Sequence, residues 1–230
     1  MRATVTTPVS RRLFLGGAVA SSALLLPGCA QGLGGLGSGL GLSGAVRRLL
    51  EVASSNAFSR LTMAGGFWDS QVSRLPLPDL FTRGAVAAVL RSQTFKDQLQ
   101  RQLNEFAVDG ARRAAPLVTQ TIRTVSIPAA VQLLRGGPTD ATSFLRNAMG
   151  PALINAMIPA LGDAMNAASN PLVNQAIGAL SGVNVMTVAQ AVANSADNAI
   201  WYQIGQEETN IRANPSVTND PLLIAALKRP

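Results

Sequence analysis

The sequence predicts an all-α fold, a single irregular bundle of several helices behind a flexible Gly-rich tether. Three observations carry that expectation. Apolar residues recur at three- and four-residue spacing through most of the chain after residue 43. The breaks between those segments fall at Gly-Gly, at proline and at Ser, Thr, Asn or Asp, the residues that start and stop helices. No run of alternating β-branched residues is bounded by hairpin turns. Alanine is abundant and only 4% of residues are aromatic, so the helices are expected to pack closely through small contact residues.

Ahead of the bundle, Arg11 and Arg12 precede an apolar run over residues 13–26, the layout of a charged n-region and an h-region. A run of 14 residues is too short to span a bilayer, which takes roughly 20. Residues 1–28 are therefore expected to be a cleaved signal peptide. Ser10-Arg11-Arg12-Leu13-Phe14-Leu15 resembles the twin-arginine export signal, whose translocase carries folded cargo. Leu26-Pro27-Gly28-Cys29 resembles a bacterial lipobox, and Cys29, the only cysteine in the chain, is the expected lipid acceptor. A buried free thiol is the alternative, but the position at the end of an h-region argues against it. Acyl chains contribute about 0.8 kcal/mol per buried methylene, enough to hold the protein to a membrane without a spanning helix. An Asp after such a cysteine usually marks inner-membrane retention. Ala30 stands there instead, pointing to the outer membrane, facing the periplasm.

Residues 29–44 read as the lipid-anchored tether, because glycine keeps the backbone flexible. They contain two accidental GxGxxG matches, neither of which follows a strand as a dinucleotide fingerprint must. Residues 45–230 form the expected helical domain. Its first helix opens with Ser43 as N-cap and ends before Gly65-Gly66. Leu75-Pro76-Leu77-Pro78 must be extended, since a residue before proline avoids the α region. Asp79 and Thr94 are expected to cap the next two helices, the second with Phe95, Leu99, Leu103, Phe106 and Ala107 on one stripe. Pro128 suits a helical first turn after Ser126, and Gly136-Gly137 stops that helix. The segment from Asp140 should break or kink at Pro151 and Pro159. A short helix follows near residues 171–180. The longest pattern opens at Thr187, with Val188, Val192, Ala196, Ile200, Ile204 and Ile211 on one face, and ends at Asn214-Pro215. Asp220-Pro221 starts a last short helix.

Composition excludes several chemistries. With no histidine and one cysteine, there are no His-based triads, no His-ligated metals and no zinc-thiolate sites. No metal and no cofactor is expected. The net charge is +7, but Arg2, Arg11 and Arg12 fall within residues 1–28, leaving 16 basic against 12 acidic residues. The pairs Arg47-Arg48 and Arg112-Arg113 are isolated and read as solvated helix surface rather than a nucleic-acid patch. Lys96 and Lys228, the only lysines, also read as solvated, and no GxSxG elbow accompanies them. Met149, Met157 and Met165 read as core filling, and Trp201-Tyr202 as core or its edge.

Four signatures occur in order: the Gly-rich stretch 33–42; Leu75-Pro76-Leu77-Pro78; Gly136-Gly137 with Asp140-Ala141-Thr142 before Phe144; and Glu207-Glu208 with Ile211-Arg212-Ala213-Asn214-Pro215. In these the chain resembles the bacterial lipoprotein family known as domain of unknown function 4197. The resemblance implies a helical envelope domain and supplies no activity. Gln206 stands where many relatives have a further Glu.

Asp140, Glu207, Glu208 and Arg212 form the candidate polar site. Glu208 precedes Arg212 by four residues, so one reading is a surface ion pair contributing a few tenths of a kcal/mol. Another gathers Asp140, Glu207 and Glu208 around a hard cation, or sets two carboxylates about a glycosidic bond. No residue stands out as catalytic. The expected function is that of a lipid-anchored periplasmic module, non-catalytic, that binds another envelope component, protein or lipid. The alternatives are an enzyme or cation-dependent factor using the carboxylates, and a carrier of apolar ligands.

Overall fold

The computed structural model describes residues 39–82, 91–168, 170–180 and 182–228. Arg11, Arg12, Cys29 and residues 83–90, which carry most of the helix expected after Asp79, lie outside the described residues. The described chain runs α1 (Gly39–Leu61), α2 (Asp79–Thr82), α3 (Gln93–Thr124), α4 (Ala130–Arg135), α5 (Asp140–Met149), α6 (Ala152–Ala167), α7 (Pro171–Gly178), α8 (Val185–Ala213), a 3-10 turn (Pro215–Thr218) and α9 (Pro221–Leu227). There is no strand among the described residues, and the fold is the all-α bundle read from the sequence.

The axis of the bundle is α8. Its expected face, Val188, Val192, Ala196, Ile200, Ile204 and Ile211, is buried throughout. Burial extends beyond that stripe to Ala189, Ala193, Ala199 and Trp201, because neighbours cover the helix on several sides: α6 and α1 most extensively, then α5 and α3. A second layer forms where α3 packs on α6 and α1. Leu99, Leu103, Phe106 and Ala107 of the expected α3 stripe are buried, and Phe95 is partly so. Met149, Met157 and Met165 are buried in the core.

Several boundaries differ from the sequence reading, each for a local reason. Helix α1 begins at Gly39, within the stretch read as tether, so the Ser43 side chain is not its cap and instead donates to the Ile127 carbonyl at 3.3 Å. Helix α3 is capped by Ser92, whose Oγ accepts from Phe95 N at 3.3 Å, rather than by Thr94. It also runs through Pro116. A proline inside a helix costs about 3 kcal/mol, but stopping there would expose Val118 and Ile122, both fully buried, at roughly 1.5–3 kcal/mol each. Packing wins. Pro159 is likewise held inside α6, ahead of buried Leu161 and Met165, whereas Pro151 does separate helices, following Gly150 at φ +51°. Pro128 sits in a turn before α4, not in its first turn. The cap of α8 is Asn184, which accepts from Thr187 N at 2.9 Å. Asp220 caps α9 as expected, accepting from Leu222 N and Leu223 N.

Two side chains lock the scaffold. Arg47 is not solvated surface: its guanidinium donates to the carbonyls of Ile122 at 2.9 Å and Val125 at 3.0 Å, closing the carbonyl end of α3. Asn104, 1% exposed, pins the proline-rich loop by accepting from Leu75 N at 2.8 Å and donating to Leu75 O at 3.1 Å. Its amide imitates the strand partner that the loop lacks.

Candidate functional site

Adjacent residues on α8, Glu207 and Glu208, turn to different neighbours. Glu208 is wholly buried and reaches the start of α5. It accepts from Ala141 N at 3.1 Å, Thr142 N at 2.7 Å and the Thr142 hydroxyl at 2.6 Å. Arg212, one turn further along α8, donates to Glu208 through Nε at 2.8 Å and lies 2.6 Å away through Nη2. The same guanidinium donates to the carbonyls of Leu133 and Leu134, the last turn of α4. The carboxylate therefore faces the positive end of one helix and the guanidinium the negative end of another, each sign opposing the local dipole. One ion pair splices α4 to α5 across the Gly136-Gly137 turn.

Asp140 completes that turn rather than joining a carboxylate cluster. Its Oδ2 accepts from Gly137 N at 2.8 Å. The approach is so close that a Cβ on Gly136 would lie 2.1 Å from the same oxygen and 2.7 Å from the Gln132 carbonyl, so glycine is required there.

Glu207, 3% exposed, faces α1 instead. Its bonds are long: Arg60 Nη2 at 3.3 Å, Asn56 Nδ2 at 3.3 Å and Gln203 Nε2 at 3.4 Å. Gln203 Oε1 in turn accepts from the Ser73 hydroxyl at 3.2 Å. Beside this chain lies a cavity of about 350 Å³, bounded by the end of α1, the 66–73 segment and α8. Arg60 and Ser70 line it together with Gln203, Gln206 and Asn210, three amides on one face of α8. The side chains of Gln206 and Asn210 make no hydrogen bond to another described residue.

The sequence-derived site thus divides in two. Glu208 and Arg212 pair at the α4–α5 corner, the carboxylate wholly buried instead of part of a surface ion pair, and Asp140 sits exposed in the adjoining turn, while Glu207 bonds to Arg60 and Gln203, which line the cavity. No group of three or more acidic or other metal-ligating side chains among the described residues is arranged to hold a metal ion. Sequence reasoning missed Asp197, which is 5% exposed and accepts from Trp201 Nε1 at 2.8 Å and Arg146 Nη2 at 2.9 Å. The signal was present as Asp197 and Trp201 four residues apart, one helical turn. Tyr202, read as core or edge, is 49% exposed while Trp201 is buried. Gln203 and Asn210 carry no charge and drew no notice, although with Gln206 they repeat at helical spacing.

A second concavity, about 520 Å³, lies between α1 and α3 and is lined by Arg48, Arg112 and Arg123. Two of its arginines are neutralised within the chain: Arg112 pairs with Asp109 at 2.9 Å and Arg48 with Asp220 at 2.6 Å. That short bond raises the Arg48 pKa and lowers that of Asp220. This groove is not a concentrated basic surface.

No helix among the described residues is long and apolar enough to cross a membrane. No curated protein and no solved structure matches the chain. A family model does match, over residues 39–227, from the first turn of α1 to the end of α9, and the chain belongs to that family, described as protein of unknown function DUF4197.

Proposed function

We propose that this is a lipid-anchored envelope protein facing the periplasm, exported through the twin-arginine route and acylated at Cys29. It works as a non-catalytic binding module, with the cavity beside Glu207 as its ligand face. The observation that carries the non-catalytic reading is the engagement of Glu208. A wholly buried carboxylate held by two backbone N–H groups, a hydroxyl and a guanidinium serves architecture and is closed to a substrate. The two-carboxylate mechanisms lose their second member with it, since Glu207 and Glu208 face different neighbours.

The anchor reading is supported by Arg11-Arg12, the apolar run and Cys29 in order. From Cys29 to Gly39, where α1 begins, the chain spans at most about 35 Å at roughly 3.5 Å per residue, so an acylated domain would stay close to the headgroups. Mass spectrometry of the protein extracted from cell membranes tests this. A diacylglyceryl adduct on Cys29 at a new N-terminus is expected, and an unmodified Cys29 with residues 1–28 retained would overturn the anchor. Photocrosslinking in living cells from position 210, at the cavity rim, should then recover a specific envelope component. A crosslinker at exposed position 113 on α3 is the matched control, and equal recovery from both positions would count against the cavity as the binding face.

A further inference from the structure

The cavity also limits the kind of ligand it can hold. We infer that it takes an uncharged polyhydroxyl ligand of mono- or disaccharide size, held by Gln203, Gln206, Asn210, Ser70 and Arg60, with Glu207 as the positioning residue behind Arg60 and Gln203. This names the ligand class of the binding face proposed above and rests on that reading.

The volume of about 350 Å³ sits at the small end of the roughly 300–1,000 Å³ typical of small-molecule sites. The site is built rather than accidental: Ser73 and Gln203, polar side chains 1% and 8% exposed, form its wall. Each carboxamide offers both donors and an acceptor, which matches sugar hydroxyls that donate and accept. Two of the three carboxamides, on Gln206 and Asn210, have no partner among the described residues. Leu61 and exposed Val72 give apolar contacts for the C–H face of a ring.

Charge selects against the alternatives. Arg60 is the only charged side chain among the lining residues, and Glu207 pairs with it from behind at 3.3 Å. An anion would have to draw Arg60 away from a carboxylate that is 3% exposed, leaving that charge buried without its cation. A cation would have to sit beside Arg60. A neutral ligand disturbs neither.

The test uses full-length protein extracted in a detergent without a sugar headgroup. Saturation-transfer NMR and titration are run with glucose, N-acetylglucosamine and maltose, with alanine and glycerol 3-phosphate as zwitterionic and anionic comparators. The neutral sugars should receive transfer, and Gln206→Ala with Asn210→Ala should weaken their binding at least tenfold with the unfolding midpoint unchanged. Glu207→Gln leaves Arg60 without a counter-charge, so that variant should gain at least tenfold affinity for glycerol 3-phosphate while losing affinity for sugars, a gain that a merely structural role would not produce. Absence of transfer to all three sugars, transfer unaffected by the two amide substitutions, or preference of the unsubstituted protein for alanine or glycerol 3-phosphate would overturn the inference. If a sugar-free envelope partner is still crosslinked at position 210, the ligand class fails while the binding module stands.

Discussion

Glu207 and Glu208 are neighbours in sequence and on one helix, and both are buried, but they serve different ends. Around Glu208 the four donors lie at 2.6 to 3.1 Å and belong to a helix terminus or to Arg212. Around Glu207 the three contacts lie at 3.3 to 3.4 Å and come from side chains, one of them Arg60 with its side chain 62% exposed. A buried charge is tolerated only when it is paired and hydrogen-bonded, and the two sites meet that condition by different margins. At the corner, backbone groups of α5 bond Glu208 and those of α4 bond Arg212, and these cannot move without unwinding a helix. The contacts of Glu207 come from side chains, which can shift without unwinding a helix.

The largest effect is expected at the corner. Glu208→Ala leaves Arg212 and two helix-start N–H groups without their acceptor, and Arg212→Ala leaves a wholly buried carboxylate without its cation. Each should cost about 3–5 kcal/mol in urea unfolding, and the double substitution should cost much less than the sum. A loss below about 1 kcal/mol in either would place the corner in the same class as the cavity.

An intermediate loss is expected where a buried amide replaces a backbone partner. Asn104→Ala removes the acceptor of buried Leu75 N, while Leu75 O keeps its bond from Gln100 Nε2 at 2.8 Å, and should destabilise by about 1–3 kcal/mol, with proteolysis opening first near Leu75-Pro76-Leu77-Pro78. Intact resistance of that loop would show that Asn104 does not hold it.

A smaller, pH-dependent effect is expected at the C-terminal helix. The hydrogen bond from Arg48, helped by Leu223 N and Leu222 N, holds the Asp220 carboxyl below its ordinary value. A depressed folded-state pKa contributes stability that is present above the unfolded value, about 3.9, and is lost as pH falls through the folded value. Asp220→Asn keeps a capping side chain but loses the charge that pairs with half-exposed Arg48, so it should cost about 0.5 kcal/mol at pH 7, and its gap from the unsubstituted protein should close as the pH falls below the unfolded value and through the lower folded one. A gap that stays constant with pH would remove the Arg48 bond as its cause.

Much of the fold was legible because periodicity and caps both report local physics. The stripe on α8, the Gly136-Gly137 stop and the Asp220 cap needed only spacing and residue type. Helix α3 was not legible past Pro116, because its continuation depends on Val118 and Ile122 finding a partner surface in α6 and α1 that the sequence does not display. The candidate site was legible in part for the same reason. Glu208 and Arg212 were visible as a pair four residues apart, but their burial is set by α4 and α5, which are more than 60 residues away in the chain. Gln203, Gln206 and Asn210 share a helical face that charge-based reading passes over. Arg47 looked like surface because its partners are carbonyls, which no side-chain pattern reveals.

Glu207→Gln and Glu208→Gln change one atom each at adjacent positions, so equilibrium urea unfolding of the two variants under identical conditions separates the two sites most cleanly. The expected result is a loss of about 3 kcal/mol or more for Glu208→Gln and less than about 1 kcal/mol for Glu207→Gln. Equal losses, or the larger loss at Glu207, would contradict the division of this helix into one carboxylate that holds the fold and one that serves the cavity.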